Sequence, residues 1–77
     1  MKKLSLAQMK EKQRGRVAEV SAGQILQNKL MSMGIYKGRE ISMVSRFRLK
    51  GPVVVKVGRS VLALGHGMAS KVIVEME

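Results

Sequence analysis

The sequence predicts a mainly β fold, a small barrel of about five strands with one inserted α-helix. Short segments rich in β-branched and other aliphatic residues follow one another at regular spacing, with glycine at the junctions. Closing such strands into a barrel removes the exposed edges that apolar strands would otherwise present. With 77 residues and only 3% aromatic residues, the chain is expected to form a single domain over residues 1–77 with an aliphatic core.

The strand pattern is clearest in the second half of the chain. Val53 to Val57 are almost entirely β-branched, and Gly58 and Arg59 offer a two-residue hairpin turn after them. Ahead of these, the basic segment of residues 1–14 could dock on the core through Leu4, Leu6 and Met9. The predicted strands are residues 15–20, 39–46 (Ile41 and Met43 inward), 53–57, 60–64 and 71–76 (Val72, Val74 and Met76 on one face).

Helical spacing occurs after the first of these strands. Ser21 followed by Gln24 has the spacing of a capping box, which predicts the helix start. Gly34 offers the left-handed conformation that commonly ends a helix, and Gly38 closes a tight turn just after it. The inward helical positions are expected at Ile25, Leu26, Leu30 and Met33.

The chemistry-bearing residues do not suit catalysis. The chain has one His, no Cys, no Asp and five Glu, and no acidic residue lies near His66 in sequence. A nucleophile with its base and orienting group therefore has no candidates, and we predict no enzyme and no cofactor. We assign no metal-ligating residues, because His66 stands alone, and a weak or intermolecular site for a transition metal ion is the alternative. His66 is expected in a solvent-exposed loop, and packing in the core is the favoured role for Met31, Met33 and Met43.

The net charge of +10 predicts attraction to polyanions. No segment approaches the apolar length of a membrane span or a signal peptide, so a cytoplasmic protein is expected. One hypothesis is a basic nucleic-acid-binding barrel, although single-strand binders place aromatic side chains among their basic residues and only Phe47 does so here. The two basic runs are Lys10, Lys12, Arg14 and Arg16, and Arg46, Arg48 and Lys50.

Several segments together resemble one known family. Residues 29–38, KLMSMGIYKG, resemble the pattern R-L-x-x-M-G-hydrophobic-x-x-G of FeoA proteins, the small partners of bacterial ferrous iron transport. Gly51-Pro52, residues 57–64 and residues 69–74 resemble, in order, the loop, the hairpin and the closing strand of that family. The resemblance covers nearly the whole chain. Departures occur at Glu11, Lys29, Lys37 and Gly65.

The resemblance implies an SH3-like barrel and a cytoplasmic accessory protein that acts on FeoB, a membrane transporter with a G-protein domain. A weak homo-oligomer is a further expectation. A third hypothesis is the SH3-like module of a metal-dependent repressor, although this chain, which begins with Met1 and is taken as complete, lacks the other domains of such a repressor. Loops on a rigid scaffold often carry function. The expected partner contacts are Gln27, Asn28, Met31, Tyr36, Lys37, Arg46, Arg48 and Lys50, with Gly34, Gly38 and Gly58 as structural turn residues.

Overall fold

Six antiparallel strands form one sheet in the computed structural model, which describes residues 2–47 and 50–76. The strands are β1 (Lys3–Ser5), β2 (Arg14–Val20), β3 (Glu40–Arg46), β4 (Val53–Val57), β5 (Ser60–Leu64) and β6 (Val72–Met76). Helix α1 (Gln24–Ser32) is inserted between β2 and β3, and the single turn α2 (His66–Ala69) lies between β5 and β6. The spatial order is β1-β6-β2-β3-β4-β5. The predicted mainly β fold with one inserted helix is confirmed, and the N-terminal segment adds the short strand β1.

The core follows the period-two alternation of the strands. In β4, Val53, Val55 and Val57 are buried whereas Lys56 is exposed, because successive side chains point to opposite faces. The inward positions predicted in β3 and β6 are confirmed as well. Ile41, Met43, Val72 and Val74 are buried, and Met76 packs half-buried against them. Each such aliphatic side chain contributes about 1.5–3 kcal/mol on burial.

The N-terminal segment docks on this core as expected. Leu6 and Met9 are fully buried, and Leu4 packs partly against the core cluster. Leu6 begins a 3-10 turn at Leu6–Gln8, and Met9 is the C-cap residue of that turn. The Ser5 backbone N–H donates to Gln8 Oε1 at 3.0 Å, which fixes the start of this turn.

The helix begins later than the sequence pattern predicts. Gly23 is its N-cap residue and Gln24 its first residue. The predicted capping box at Ser21 is therefore wrong, and the Ser21 backbone N–H instead donates to the Lys71 carbonyl at 2.7 Å. Ile25, expected to face inward, is 89% exposed, because the helix turns Leu26 and Leu30 toward the core.

The helix ends in a Schellman motif built from residues 30–35. The Gly34 N–H donates to the Met31 carbonyl and the Ile35 N–H to the Leu30 carbonyl, each at 2.9 Å. Gly34 has φ of 90°, the left-handed region in which glycine is free of the Cβ penalty. Leu30 and Ile35 are both buried, as the hydrophobic contact of this motif requires. The sequence Met33-Gly34-Ile35 thus fixes where the chain reverses toward β3.

Candidate partner-binding surface

A β-turn at residues 36–39 joins the helix to β3 and is bonded to β2. The Arg39 N–H donates to the Tyr36 carbonyl at 3.0 Å, and Gly38 has φ of 93°. The Gly38 N–H donates to the Val17 carbonyl at 2.8 Å, and the Val17 N–H donates to the Arg39 carbonyl at 2.9 Å. These bonds hold Tyr36 and Arg39 beside β2. Two surface concavities lie next to this turn: Tyr36 lines both of them, and Arg39 lines one.

The first concavity, the helix groove, has a volume of about 280 Å³. It lies between α1, the end of β2 and the turn. Apolar side chains form much of its lining, and Glu19 and Lys37 bring opposite charges to it. Its lining residues are Glu19, Val20, Gln27, Met31, Ile35, Tyr36 and Lys37.

Four of the expected partner contacts lie in the helix groove. Met31 is 56% exposed and Tyr36 39% exposed. The core role favoured for Met31 is therefore wrong, whereas Met43 is buried and Met33 half-buried as predicted. The Gln27 amide serves the fold as well, since its Nε2 donates to the Ala22 carbonyl at 2.7 Å. Met31 and Tyr36 thus supply the exposed apolar surface of the groove.

Asn28 does not line the groove. It is exposed on α1, where its Oδ1 accepts a hydrogen bond from Gln24 Nε2 at 2.8 Å. This pair is one helical turn apart and stabilises the first turns of α1. Asn28 is therefore placed beside the groove without contributing to its lining.

The basic residues expected after β3 lie elsewhere. Arg46 ends β3, and its Nη1 donates to the Met9 carbonyl at 2.7 Å, so this side chain ties the N-terminal segment to the sheet. Lys50 is exposed in the connection to β4, with φ of 67°. Arg48 lies outside the described residues. The structure does not bring Arg46 or Lys50 to the helix groove.

A second concavity, the basic cleft, lies on the outer face of β2, β3 and β4. Its volume is about 560 Å³. Two of its cations, Arg14 and Arg16, belong to a basic run visible in the sequence, but Arg39 and Lys56 were not singled out there. Their contribution depends on strand register, which sequence spacing does not reveal. The lining residues are Arg14, Arg16, Tyr36, Gly38, Arg39, Glu40, Ile41, Ser42, Lys56 and Gly58.

Within residues 2–47 and 50–76, no group of three or more His, Asp or Glu side chains is placed to hold a metal ion. His66, expected in an exposed loop, is instead the first residue of α2 and is half-buried. A search of the same residues finds no helix with the length and apolar character needed to cross a membrane.

A six-stranded antiparallel sheet with one inserted helix defines this chain as a small, mainly β domain. A model of the FeoA domain matches residues 4–76. This chain therefore belongs to the FeoA family, as the resemblance of its motifs indicates. A relative named "Putative Fe(2+) transport protein A" from Methanocaldococcus jannaschii is 34% identical over 70 residues, which cover 91% of this chain and 83% of that protein.

Solved structures agree with this assignment. An iron uptake regulatory protein (FeoA) superposes with a TM-score of 0.90 and 28% identity over the whole of both chains. The zinc-complexed FeoA of Stenotrophomonas maltophilia, described as a prokaryotic SH3 domain protein, has a TM-score of 0.80 and 26% identity. That match covers 94% of this chain and 89% of the other. The SH3-like fold inferred from the resemblance is thus confirmed.

The same fold also occurs inside a different class of protein. A manganese-dependent transcriptional repressor has a TM-score of 0.88 at 21% identity, and the match covers 97% of this chain but 42% of the repressor. At this identity the likeness concerns the fold alone. Because one fold hosts several functions, function must be argued from the surface.

Proposed function

We propose that this chain is a cytoplasmic accessory protein of ferrous iron uptake that binds a FeoB-type transporter on its cytoplasmic G-protein domain. The observation that supports this most is the FeoA-domain match over residues 4–76. The Fe(2+) transport named for the archaeal relative points to the same process. In this proposal the chain acts by binding, and the transporter carries the nucleotide and the metal path.

The helix groove is the surface we assign to this contact. Its exposed Met31 and Tyr36 belong to the residue types enriched at the buried centres of protein interfaces. Val20, which is half-buried, extends this apolar surface, and Glu19 and Lys37 supply charges that can fix the orientation of a partner. The Schellman motif and the bonded turn hold the groove rigid, which lowers the entropic cost of binding.

A matched pair of variants on one helix tests the assignment. Met31→Glu places a charge in the groove, whereas Ile25→Glu changes an apolar side chain that is 89% exposed and lies outside the groove. The affinity of each purified variant for the soluble G-protein domain of the transporter is measured by calorimetry. We expect Met31→Glu to weaken binding about tenfold or more, which is about 1.4 kcal/mol, and Ile25→Glu to bind like the unchanged chain.

Two results would contradict the proposal. If the unchanged chain does not bind the domain at low or moderate salt, the transporter partnership fails. If the chain binds and both variants bind equally well, the helix groove is the wrong surface. Thermal unfolding of both variants serves as the control for folding.

A further inference from the structure

The basic cleft contains a polar row that crosses three strands in register. Arg14 of β2 is paired with Ser42 of β3, and Ser42 is paired with Lys56 of β4. Arg14 and Lys56 are exposed and Ser42 is half-buried, so the three side chains share the outer face of the sheet. Neighbouring strands lie about 4.8 Å apart, which places the two cationic residues about 10 Å apart with a hydroxyl between them.

Two further guanidinium groups complete the cleft and are held in position by neighbours. Arg16 Nη1 donates to the Gly38 carbonyl at 3.3 Å. Arg39 Nη1 donates to the Tyr36 hydroxyl at 3.0 Å, and its guanidinium carbon lies 5.7 Å from the centroid of the Tyr36 ring. These contacts leave other N–H donors on both guanidinium groups, since each group carries five. The cleft is thus organised before any ligand arrives.

Gly58 makes room for Arg39. It is the first residue of the β4–β5 turn, with φ of 61°, and a Cβ at this position would collide with the Arg39 guanidinium. The glycine therefore lets the turn backbone and the Arg39 guanidinium lie side by side in the lining of the cleft. A residue predicted as a structural turn also shapes the cationic lining.

The charge of the cleft indicates the class of ligand. Four cations and the carboxylate of Glu40 give a net charge of +3. A single phosphate monoester carries about −1.5 to −2 at pH 7, so two phosphate groups match the cleft better than one. Arginine forks pair with phosphate oxygens through two parallel hydrogen bonds, and the volume of about 560 Å³ lies within the range of small-molecule sites.

We propose that the basic cleft binds a small molecule that carries a diphosphate group. The phosphates lie along the row and contact Arg14, Ser42 and Lys56. From the side of the turn at residues 36–39, the phosphates are bound by Arg16 and Arg39. This inference is independent of the transporter partnership, because the cleft and the helix groove are lined by different residues except for Tyr36.

Calorimetric titration of the full chain with sodium pyrophosphate at about 150 mM salt tests the proposal, with sodium orthophosphate as the comparison. Lys56→Gln and Arg16→Gln each remove one cleft cation. Lys71→Gln is the matched control, since Lys71 precedes Val72, which pairs with Val20 at the far end of β2, about 20 Å from Arg14. All four proteins are also compared by thermal unfolding.

We expect pyrophosphate to bind the unchanged chain about tenfold more tightly than orthophosphate. Each cleft variant should weaken pyrophosphate binding about fivefold, and Lys71→Gln should change it less than about twofold. In a nuclear magnetic resonance titration, pyrophosphate should shift the amide signals of Gly38, Ser42 and Gly58 and leave that of Gly51 unchanged.

Three outcomes would overturn the proposal. Absence of pyrophosphate binding would do so directly. Equal weakening by Lys71→Gln and Lys56→Gln would show that net charge, and not the cleft, attracts the anion. Tighter binding of oligouridylate than of pyrophosphate, with the same loss in the cleft variants, would assign the cleft to nucleic acid instead.

Discussion

Two basic regions of the sequence have different positions and different roles in the fold. Arg14 and Arg16 meet Arg39 and Lys56 across three strands and form a cleft, although more than 20 residues separate them in sequence. Arg46 and Lys50 are close in sequence, yet Arg46 turns inward to hold the Met9 carbonyl while Lys50 stays exposed in the connection. In this fold, the register of the strands, and not proximity in the sequence, brings the cationic side chains together.

The two regions lie at different positions along β3. The polar row of the cleft crosses β3 at Ser42, and Arg46 ends the strand. At about 3.3 Å per residue, four residues separate Ser42 from Arg46 by about 13 Å. Substitutions in the cleft should therefore leave the hydrogen bond from Arg46 to the Met9 carbonyl intact, and a substitution of Arg46 should leave the cleft intact.

The largest effect is expected from Gly15→Ala, which breaks the sheet under the cleft. Gly15 lies between the two cleft arginines of β2, and an added Cβ would collide with the Glu75 carbonyl and lie 2.8 Å from a Val74 methyl. Because the backbone of β6 cannot move aside cheaply, we expect a loss of about 3 kcal/mol or more in unfolding free energy, measured in urea.

Gly67→Ala is the matched control for that substitution. Gly67 lies in α2 and has nothing within 4 Å of an added Cβ. Alanine there should leave stability unchanged or raise it by up to about 1 kcal/mol. Similar unfolding curves for both alanine variants would contradict the close approach of β2 and β6.

Arg46→Gln sharpens the contrast between the two basic regions. It removes a charged hydrogen bond to the carbonyl of the fully buried Met9, so we expect a loss of about 1.5–3 kcal/mol in urea denaturation. Pyrophosphate affinity should stay within about twofold, since Arg46 is remote from the cleft. A stable variant with weakened pyrophosphate binding would reverse the roles assigned to the two regions.

A comparison of Gly58→Ala with Gly34→Ala distinguishes the cost of backbone strain in a turn from an effect on the shape of the cleft. Both positions have positive φ, so each alanine should cost about 1–2 kcal/mol. An added Cβ at Gly34 meets only a Val57 methyl at 3.5 Å, whereas at Gly58 it displaces the Arg39 guanidinium. Only Gly58→Ala should therefore weaken pyrophosphate binding. Equal affinities would show that Arg39 does not contact the ligand.

The smallest effect on stability is expected for Arg16→Gln. Its hydrogen bond to the Gly38 carbonyl is long and exposed, so the unfolding free energy should fall by less than about 0.5 kcal/mol. The same variant should nevertheless lose pyrophosphate affinity about fivefold, as Lys56→Gln should. A large loss of stability would mean that Arg16 mainly supports the turn.

Much of the fold was predictable from local patterns. Alternation placed Ile41, Met43 and the valines of β4 and β6 in the core, and Gly34 marked the end of the helix. The helix start was not predictable, because Ser21 offers a capping side chain while its backbone N–H is taken by the Lys71 carbonyl, a partner 50 residues away. Ile25 was misplaced because it lies about 100° around the helix from Leu26 and about 140° from Leu30, so it cannot face the core together with them.

The candidate site was predictable only in part. Met31, Tyr36 and Lys37 lie on the helix and the turn that follows it, and local sequence was enough to group them. The basic cleft needed the register of β2, β3 and β4, which composition does not encode. Arg46 was assigned to the surface by its charge, whereas a backbone carbonyl 37 residues earlier determines its position.

The proposed contact with the transporter can be tested directly by nuclear magnetic resonance. The isotope-labelled chain is titrated with the unlabelled G-protein domain of the transporter, and amide shifts are followed residue by residue. The proposed function predicts the largest shifts at Gln27, Met31, Tyr36 and Lys37, with Lys50 and Gly51 unchanged. Absence of shifts, or shifts confined to the connection between β3 and β4, would contradict it.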